Sequence, residues 1–394
     1  MSDRLLYIIS FLIPALFVPL VLPAIAFVAH QINMTDKPNF RKRQKRPVAL
    51  MGGMVVVAVI CFALVCLNIF VDLDELFPAI CVIVILFVIG MVDDAIDLPF
   101  SIKLFAQILI IMLLFFAGSY RASDFGGLFG IGKLNLAASL LVSIFLGLYY
   151  INAINFIDGI DGLASAFGCF SSFLIAFWCV RHNCTEHAVL SLVFAGALFT
   201  FFFFNVFSDR YKMYMGDSGS LVLGMFVYMS VCMEPSQYAP GDFLADHYVF
   251  SFPMAVYSAA LFDMARVCLW RVLRKKSPFH ADRTHMHHCY VDMGFPHFTA
   301  TMIIVLSNAF VVLVWYLTAR SGMSVLLQFC IVFLAGFIFI CLPYMIFSLI
   351  RKYYPAKYDS LLKNVANYAL ISAKFRSFMT SIVDGTFKIN KYLR

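Results

Sequence analysis

Residues 152–164 read NAINFIDGIDGLA, with the apolar runs LLVSIFLGLYYI (140–151) before them and LASAFGCFSSFLIAFWCV (163–180) continuing them. Each run approaches the roughly 20 apolar residues that cross a bilayer. The stretch therefore reads as a connection between two membrane helices, and Asp158 and Asp161 stand at the junction. A carboxylate in hydrocarbon costs several kcal/mol unless it is paired, hydrated or metal-bound. At i, i+3 spacing a helical turn places both on one face. Gly159 and Gly162 let backbone or ligand come close. A plain polar loop would need no function, but paired Asp-Gly steps are dense for a loop.

The whole chain agrees with the membrane reading. Its 394 residues are 62% hydrophobic and 13% charged, and the mean hydropathy is +0.90. A soluble domain is about half apolar and a quarter charged. The fold class expected is an all-α polytopic integral membrane protein with about eleven transmembrane helices. These fall near 5–29, 48–70, 77–92, 101–118, 134–153, 162–180, 188–207, 218–233, 248–270, 298–318 and 324–349. Residues 1–350 form one transmembrane domain, and 351–394 form a basic amphipathic tail. The first run could be a signal peptide, since Ala24-Ile25-Ala26 resembles a cleavage site. Its length, Pro14, Pro19 and Pro23, and the basic loop that follows favour an uncleaved span.

The net charge of +7 suits an anionic membrane face and anionic substrates rather than nucleic acid. The eleven cysteines form no CxxC pair and mostly lie in apolar runs, so they read as small hydrophobes. Most of the 29 Lys and Arg residues fall in the odd-numbered connections and the tail. Positive charge stays in the cytoplasm, which puts the N-terminus outside, the C-terminus inside and the odd-numbered connections in the cytoplasm.

Every unusual polar motif falls in those same connections: DKPNFRKRQKRP (36–47), VDDAID (92–97), NFIDGIDG (155–162), RYKMYMGDSGS (210–220) and SPFHADRTHMHH (277–288). The outer connections are short or featureless. One cytoplasmic site built from several loops explains this economically.

Each motif carries chemistry and also a plainer reading. Adjacent Asp93 and Asp94, with Asp97 a turn on, repel near a bilayer, so a cation or shifted pKa is expected. Hard oxygen ligands without cysteine favour Mg²⁺, or Mn²⁺, over zinc; helix ends also carry acids with no such role. Gly216-Asp217-Ser218-Gly219 can hold phosphate on helix N–H groups or act as an ordinary N-cap. His280, His285, His287 and His288 surround Asp282 and Arg283. They lack a familiar zinc spacing and fit phosphate recognition, or a solvated basic loop. In the tail, Leu361, Leu362, Val365, Tyr368, Ile371, Phe375, Met379 and Ile382 recur near helical spacing. That predicts an amphipathic helix on the inner leaflet, or one packed on the protein's own cytoplasmic face. Together the parts suit phosphoryl-group chemistry between a soluble and a lipid substrate.

These five motifs, in this order and spacing, resemble the polyprenyl-phosphate N-acetylhexosamine-1-phosphate transferases, glycosyltransferases of the family 4 type. The likeness runs from about Asp36 to Phe298. The related peptidoglycan enzymes have three consecutive histidines, which Met286 interrupts here; that points away from a muramyl-pentapeptide donor. The resemblance implies transfer of N-acetylglucosamine-1-phosphate from UDP-N-acetylglucosamine to undecaprenyl phosphate, with release of UMP. The setting would be a bacterial inner membrane, and the product would start a surface glycan of O-antigen or enterobacterial common antigen type. It also implies Asp217 as the Mg²⁺ ligand with Asp94 helping, and Asp93 and Asp94 as the catalytic pair, Asp93 deprotonating the lipid phosphate. Asn155, Asp158 and Asp161 would bind nucleotide. Arg283, His285, His287 and His288 would hold the sugar phosphate and diphosphate, and Asp36 and Lys103 are further substrate-binding candidates. The sequence leaves room for a homodimer. A different UDP-hexosamine donor, or a transporter for an anionic solute, remain the competing readings. Transporters usually keep their site near the midplane, within internal repeats, and no repeat is visible.

Overall fold

A backbone in hydrocarbon must satisfy its own N–H and C=O groups, so apolar runs become helices. The computed structural model describes residues 2–36, 47–117, 120–233, 250–278, 283–365 and 373–385, and they are mostly helical. Among the described residues, eight helices are long and apolar enough to cross a membrane. They are α1 (Asp3–Gln31), α3 (Phe77–Ile96), α4 (Phe100–Ala117), α5 (Leu136–Ile157), α6 (Leu163–Arg181), α7 (Thr185–Phe207), α12 (His297–Ala319) and the continuous rod Val325–Tyr353. That rod comprises α13 (Val325–Gly336), a π-helical turn at Phe337–Cys341 and α14 (Leu342–Tyr353).

The other expected runs also lie on helix but fall short of that length. These are α2 (Gly52–Leu67), α8 (Gly216–Val231) and the run at 248–270, which breaks at Tyr257 into α9 (Ser251–Val256) and α10 (Ser258–Leu273). The break is held by Asn308 of α12, which is fully buried. Its Oδ1 accepts from Ala259 N at 2.8 Å and from Ser258 Oγ at 2.7 Å, while its Nδ2 donates to Val256 O at 2.8 Å. A buried helix end needs such partners, and one amide side chain supplies them across the break.

The centre of the bundle is α6, α7 and α8. Of the spanning helices, α7 and α6 are the most buried, whereas α1, α3, α4 and α12 present apolar side chains such as Leu16, Val88, Leu109 and Leu313 outward. Helix α1 shows how the sequence selects its inner face. Leu6, Ser10, Pro14, Val18, Leu22 and Ala26 recur every fourth residue and are buried. Pro19 lacks the N–H that would bond to the carbonyl four residues back. That carbonyl, Ala15 O, accepts instead from Thr200 Oγ1 of α7 at 2.9 Å.

Two short elements pin the loops at one end. Strands β1 (Thr35–Asp36) and β2 (Val48–Ala49) pair antiparallel, with Thr35 opposite Ala49. Ala49 O accepts from Tyr214 N, and the first N–H groups of α2, Gly52 and Gly53, donate to Tyr214 O and Met215 O. The basic stretch 37–46, the segment 234–249 and part of the tail lie outside the described residues. The described tail forms α15 (Pro355–Val365) and α16 (Ala373–Gly385).

Candidate active site

A cavity of about 580 Å³ opens where α3, α5 and α8 end or begin; its lining includes Asp36, Asp93, Asp94, Asp97, Asn155, Asp158, Asp161, Asp217, Arg283 and His288. The five connections singled out in the sequence thus each contribute to one site. At the other end, Tyr120 pairs with Met233 and its hydroxyl lies 3.3 Å from His187 Nε2, so residues at the borders of three other connections meet away from it.

The pocket is organised around the start of α8. Gly216 has φ +72°, which L side chains rarely adopt, and a Cβ there would press on the Asp94 carboxylate. Asp94 accepts from Asp217 N at 2.8 Å through Oδ1 and from Ser218 N at 3.0 Å through Oδ2. A carboxylate at exposed helix N–H groups is favourable, and this one ties α3 to α8. Asp217 is thereby presented to the cavity. Its Oδ1 accepts from Asn155 Nδ2 at 3.0 Å, and its Oδ2 from Lys103 Nζ at 3.1 Å. Lys103 also forms an ion pair with Asp93, whose Oδ1 accepts from Leu98 N at 2.8 Å. Lys103 is therefore a bridge between Asp93 and Asp217.

The two aspartates of the opening stretch differ sharply. Asp161 Oδ2 lies 2.6 Å from Lys212 Nζ and 3.0 Å from His297 Nδ1. Burial would raise its carboxyl, but the His297 contact and the Lys212 charge outweigh it and hold it below the usual range. Asp161 thus ties its loop to the α7–α8 connection and to the start of α12. Asp158 has no such cation among the described residues. Burial, then the charges of Asp217, Asp94 and Asp161, push its carboxyl up to about 8. The i, i+3 pair is one tethered ion and one poised acid.

The histidines follow on α11 (Met286–Asp292). His288 lines the cavity, and burial and then the Arg283 charge lower its imidazole to about 4, so it is neutral at pH 7. Arg283 Nη2 lies 2.8 Å from Asp292 Oδ1. His287 is 2% exposed, and it packs against Gly159 so closely that a Cβ there would meet Nε2 at 2.0 Å. His285 is also buried, with Nδ1 2.9 Å from Asp263 Oδ2. His280 and Asp282 lie outside the described residues.

Sequence reasoning missed Asp263. It accepts from Met286 N at 3.0 Å and pairs with Arg266. Arg266 donates to Thr284 O at 2.7 Å and lies 3.5 Å above the Tyr344 ring. Asp263 therefore orients His285 and anchors α11, as a partner to a functional histidine often does. The available signal was an aspartate inside an apolar run with arginine three residues later. Lys212 and His297 were missed as well, although Lys212 lies within a quoted motif.

The donor set suits a hard cation. Seven aspartates and Arg283 are among the residues that line the cavity, and burial, then the charges of Asp217, Asp94 and Asp161, keep Asp158 protonated. Among the described residues no three acidic, imidazole or thiol groups enclose a metal position. Mg²⁺ commonly takes one or two carboxylates and completes its shell with water and substrate phosphates. An open set centred on Asp217 and Asp94 fits that demand.

Residues 76–234 match the sequence profile of glycosyl transferase family 4. The chain is 30% identical over 287 residues to the undecaprenyl-phosphate alpha-N-acetylglucosaminyl 1-phosphate transferase of Escherichia coli O157:H7, covering 72% of this chain and 76% of that protein. It is 30% identical over 326 residues to the protein of the same name from Yersinia pestis, covering 81% and 85%. It is 26% identical over 291 residues to that from Haemophilus influenzae, covering 72% and 78%.

Proposed function

Because the chain belongs to glycosyl transferase family 4, we propose that it transfers N-acetylglucosamine-1-phosphate from UDP-N-acetylglucosamine to undecaprenyl phosphate, releasing UMP. The observation that carries this reading is the meeting of Asp93, Asp94, Asp158, Asp217, Arg283 and His288 on one cavity at one end of the bundle. The excess of Lys and Arg in the same connections puts that end in the cytoplasm, where the nucleotide sugar is. The membrane is then a bacterial inner membrane, and the product seeds a surface glycan of O-antigen or enterobacterial common antigen type.

In this reaction an oxygen of the lipid phosphate attacks the sugar-side phosphorus of the diphosphate. The new P–O bond forms as the bridge to the UMP phosphate breaks. Asp93 faces the cavity with its carboxylate fixed by Leu98 N and Lys103, and it takes the acceptor's proton. Lys103 spans Asp93 and Asp217 and shifts toward the incoming phosphate. Asp217 and Asp94 would hold Mg²⁺, with Mn²⁺ an alternative. The ion held there would supply positive charge to offset that developing on the diphosphate oxygens. Arg283 and neutral His288 donate hydrogen bonds to the diphosphate and sugar phosphate. Asn155 and Asp158 meet the nucleotide, while Asp161 positions the loop that carries Asp158.

Direct displacement needs a single base, whereas a two-step route needs a phosphoryl-enzyme. UMP exchange in the absence of lipid would count against direct displacement.

Membranes expressing the chain, given UDP-N-acetylglucosamine or UDP-N-acetylgalactosamine side by side, test the reading. UMP release with the first donor, lost on adding EDTA, is expected. Asp217→Asn should lower turnover by at least about 10²-fold, the usual scale for an electrostatic group at the reacting centre. Unchanged turnover in that variant would refute the metal assignment, and preference for the second donor would change the sugar.

A further inference from the structure

The reading above uses nothing beyond residue 297, yet the tail reaches back to the site. Helix α16 lies against the end of α7 and the turn that follows it. Asp384 Oδ1 accepts from Ser208 Oγ at 2.6 Å, and Oδ2 accepts from Asp209 N at 3.1 Å and Arg210 N at 3.3 Å. Ser208 Oγ in turn accepts from Tyr211 N at 2.7 Å. One turn earlier on the helix, Thr380 Oγ1 donates to Phe207 O at 2.8 Å, and Val383 is buried beside it. The turn so held continues into Lys212, which is 2.6 Å from Asp161, and then into Gly216 and Asp217. Asn205, in the last turn of α7, donates to Met213 O at 2.6 Å and accepts from Gly162 N. The connection carrying Asp217 is thus fastened on one side to the Asp158–Asp161 loop and on the other to Asp384.

We propose that Asp384 is a positioning residue for the transferase reaction, clamping the 208–217 connection so that Lys212 and Asp217 stay in register with Asp161 and Asp93. The proposal rests on the function assigned above. Asp384 touches no cavity-lining atom. It acts by capping backbone N–H groups that an irregular turn cannot satisfy internally. Displacement of a positioned group by about 1 Å can lower a rate by about 10²-fold.

The test uses the full-length protein purified in detergent, with Asp384→Ala, Asp384→Asn and, as a control on the exposed face of α16, Phe378→Ala. Two readouts are taken: kcat and KM for UMP release, and hydrogen exchange across 208–217 without substrate. Asp384→Ala is expected to lower kcat at least tenfold with KM changed less than threefold, and to raise exchange across 208–217. Asparagine can still accept from a backbone N–H, so Asp384→Asn should keep kcat within about threefold. Phe378→Ala should match wild type in both. Wild-type kcat together with wild-type exchange in Asp384→Ala would overturn the clamp. So would an exchange increase spread evenly over the whole protein, which marks general destabilisation. Raised local exchange in a chain whose wild type releases no UMP would uphold the contact and reject the transferase reading.

Discussion

At the scale of single residues, Asp158 offers a clean test because its carboxyl is held at about 8, whereas aspartate in an unfolded chain titrates at roughly 3.9. Between those values the folded state keeps a proton that the unfolded state gives up. Stability therefore falls as pH rises through that window, and levels off above it. Asp158→Asn removes the penalty. Its thermal midpoint relative to wild type should be higher at about pH 8.5 than at about pH 5, and an equal difference at both would contradict the assignment. The importance of Asp158 was legible, since a carboxylate between two apolar runs demands an explanation. Its difference from Asp161 was not, because Lys212 and His297 reach Asp161 from far along the chain. Asp263 left a signal, an aspartate inside an apolar run with Arg266 three residues on, but its partner His285 lies on another element and could not be paired with it in advance.

Elements were easier to read, because long hydrophobic runs stand out and most of each expected run, where it is described, lies on helix. What periodicity could not show is how helix defects are repaired. The break at Tyr257 has no glycine, and its stabiliser is Asn308 on α12. The carbonyl stranded by Pro19 is satisfied by Thr200 on α7. That repair predicts a coupling. Thr200→Val should cost about 1 kcal/mol in the wild-type background. In a Pro19→Ala background the new N–H can serve Ala15 O, so the cost should largely vanish. Thermal or denaturant unfolding of the four proteins gives the cycle, and strictly additive losses would show that the hydroxyl does not serve that carbonyl.

Over the whole molecule, the deciding fact is that connections distant in sequence share one cavity, while Tyr120, His187 and Met233 meet at the opposite end. The asymmetry of motifs and of positive charge anticipated this. Packing of the tail helix on the protein itself was one of the two readings, but amphipathic spacing says only that α16 has two faces, not that one of them holds the 208–210 turn. The proposed reaction joins a sugar phosphate, not a sugar, to a lipid phosphate. Purified protein, UDP-N-acetylglucosamine, undecaprenyl phosphate and Mg²⁺ should give UMP and lipid-diphosphate N-acetylglucosamine in equal amounts, and no UMP when the lipid is left out. Release of UDP instead of UMP, or no lipid-linked diphosphate at all, would contradict it.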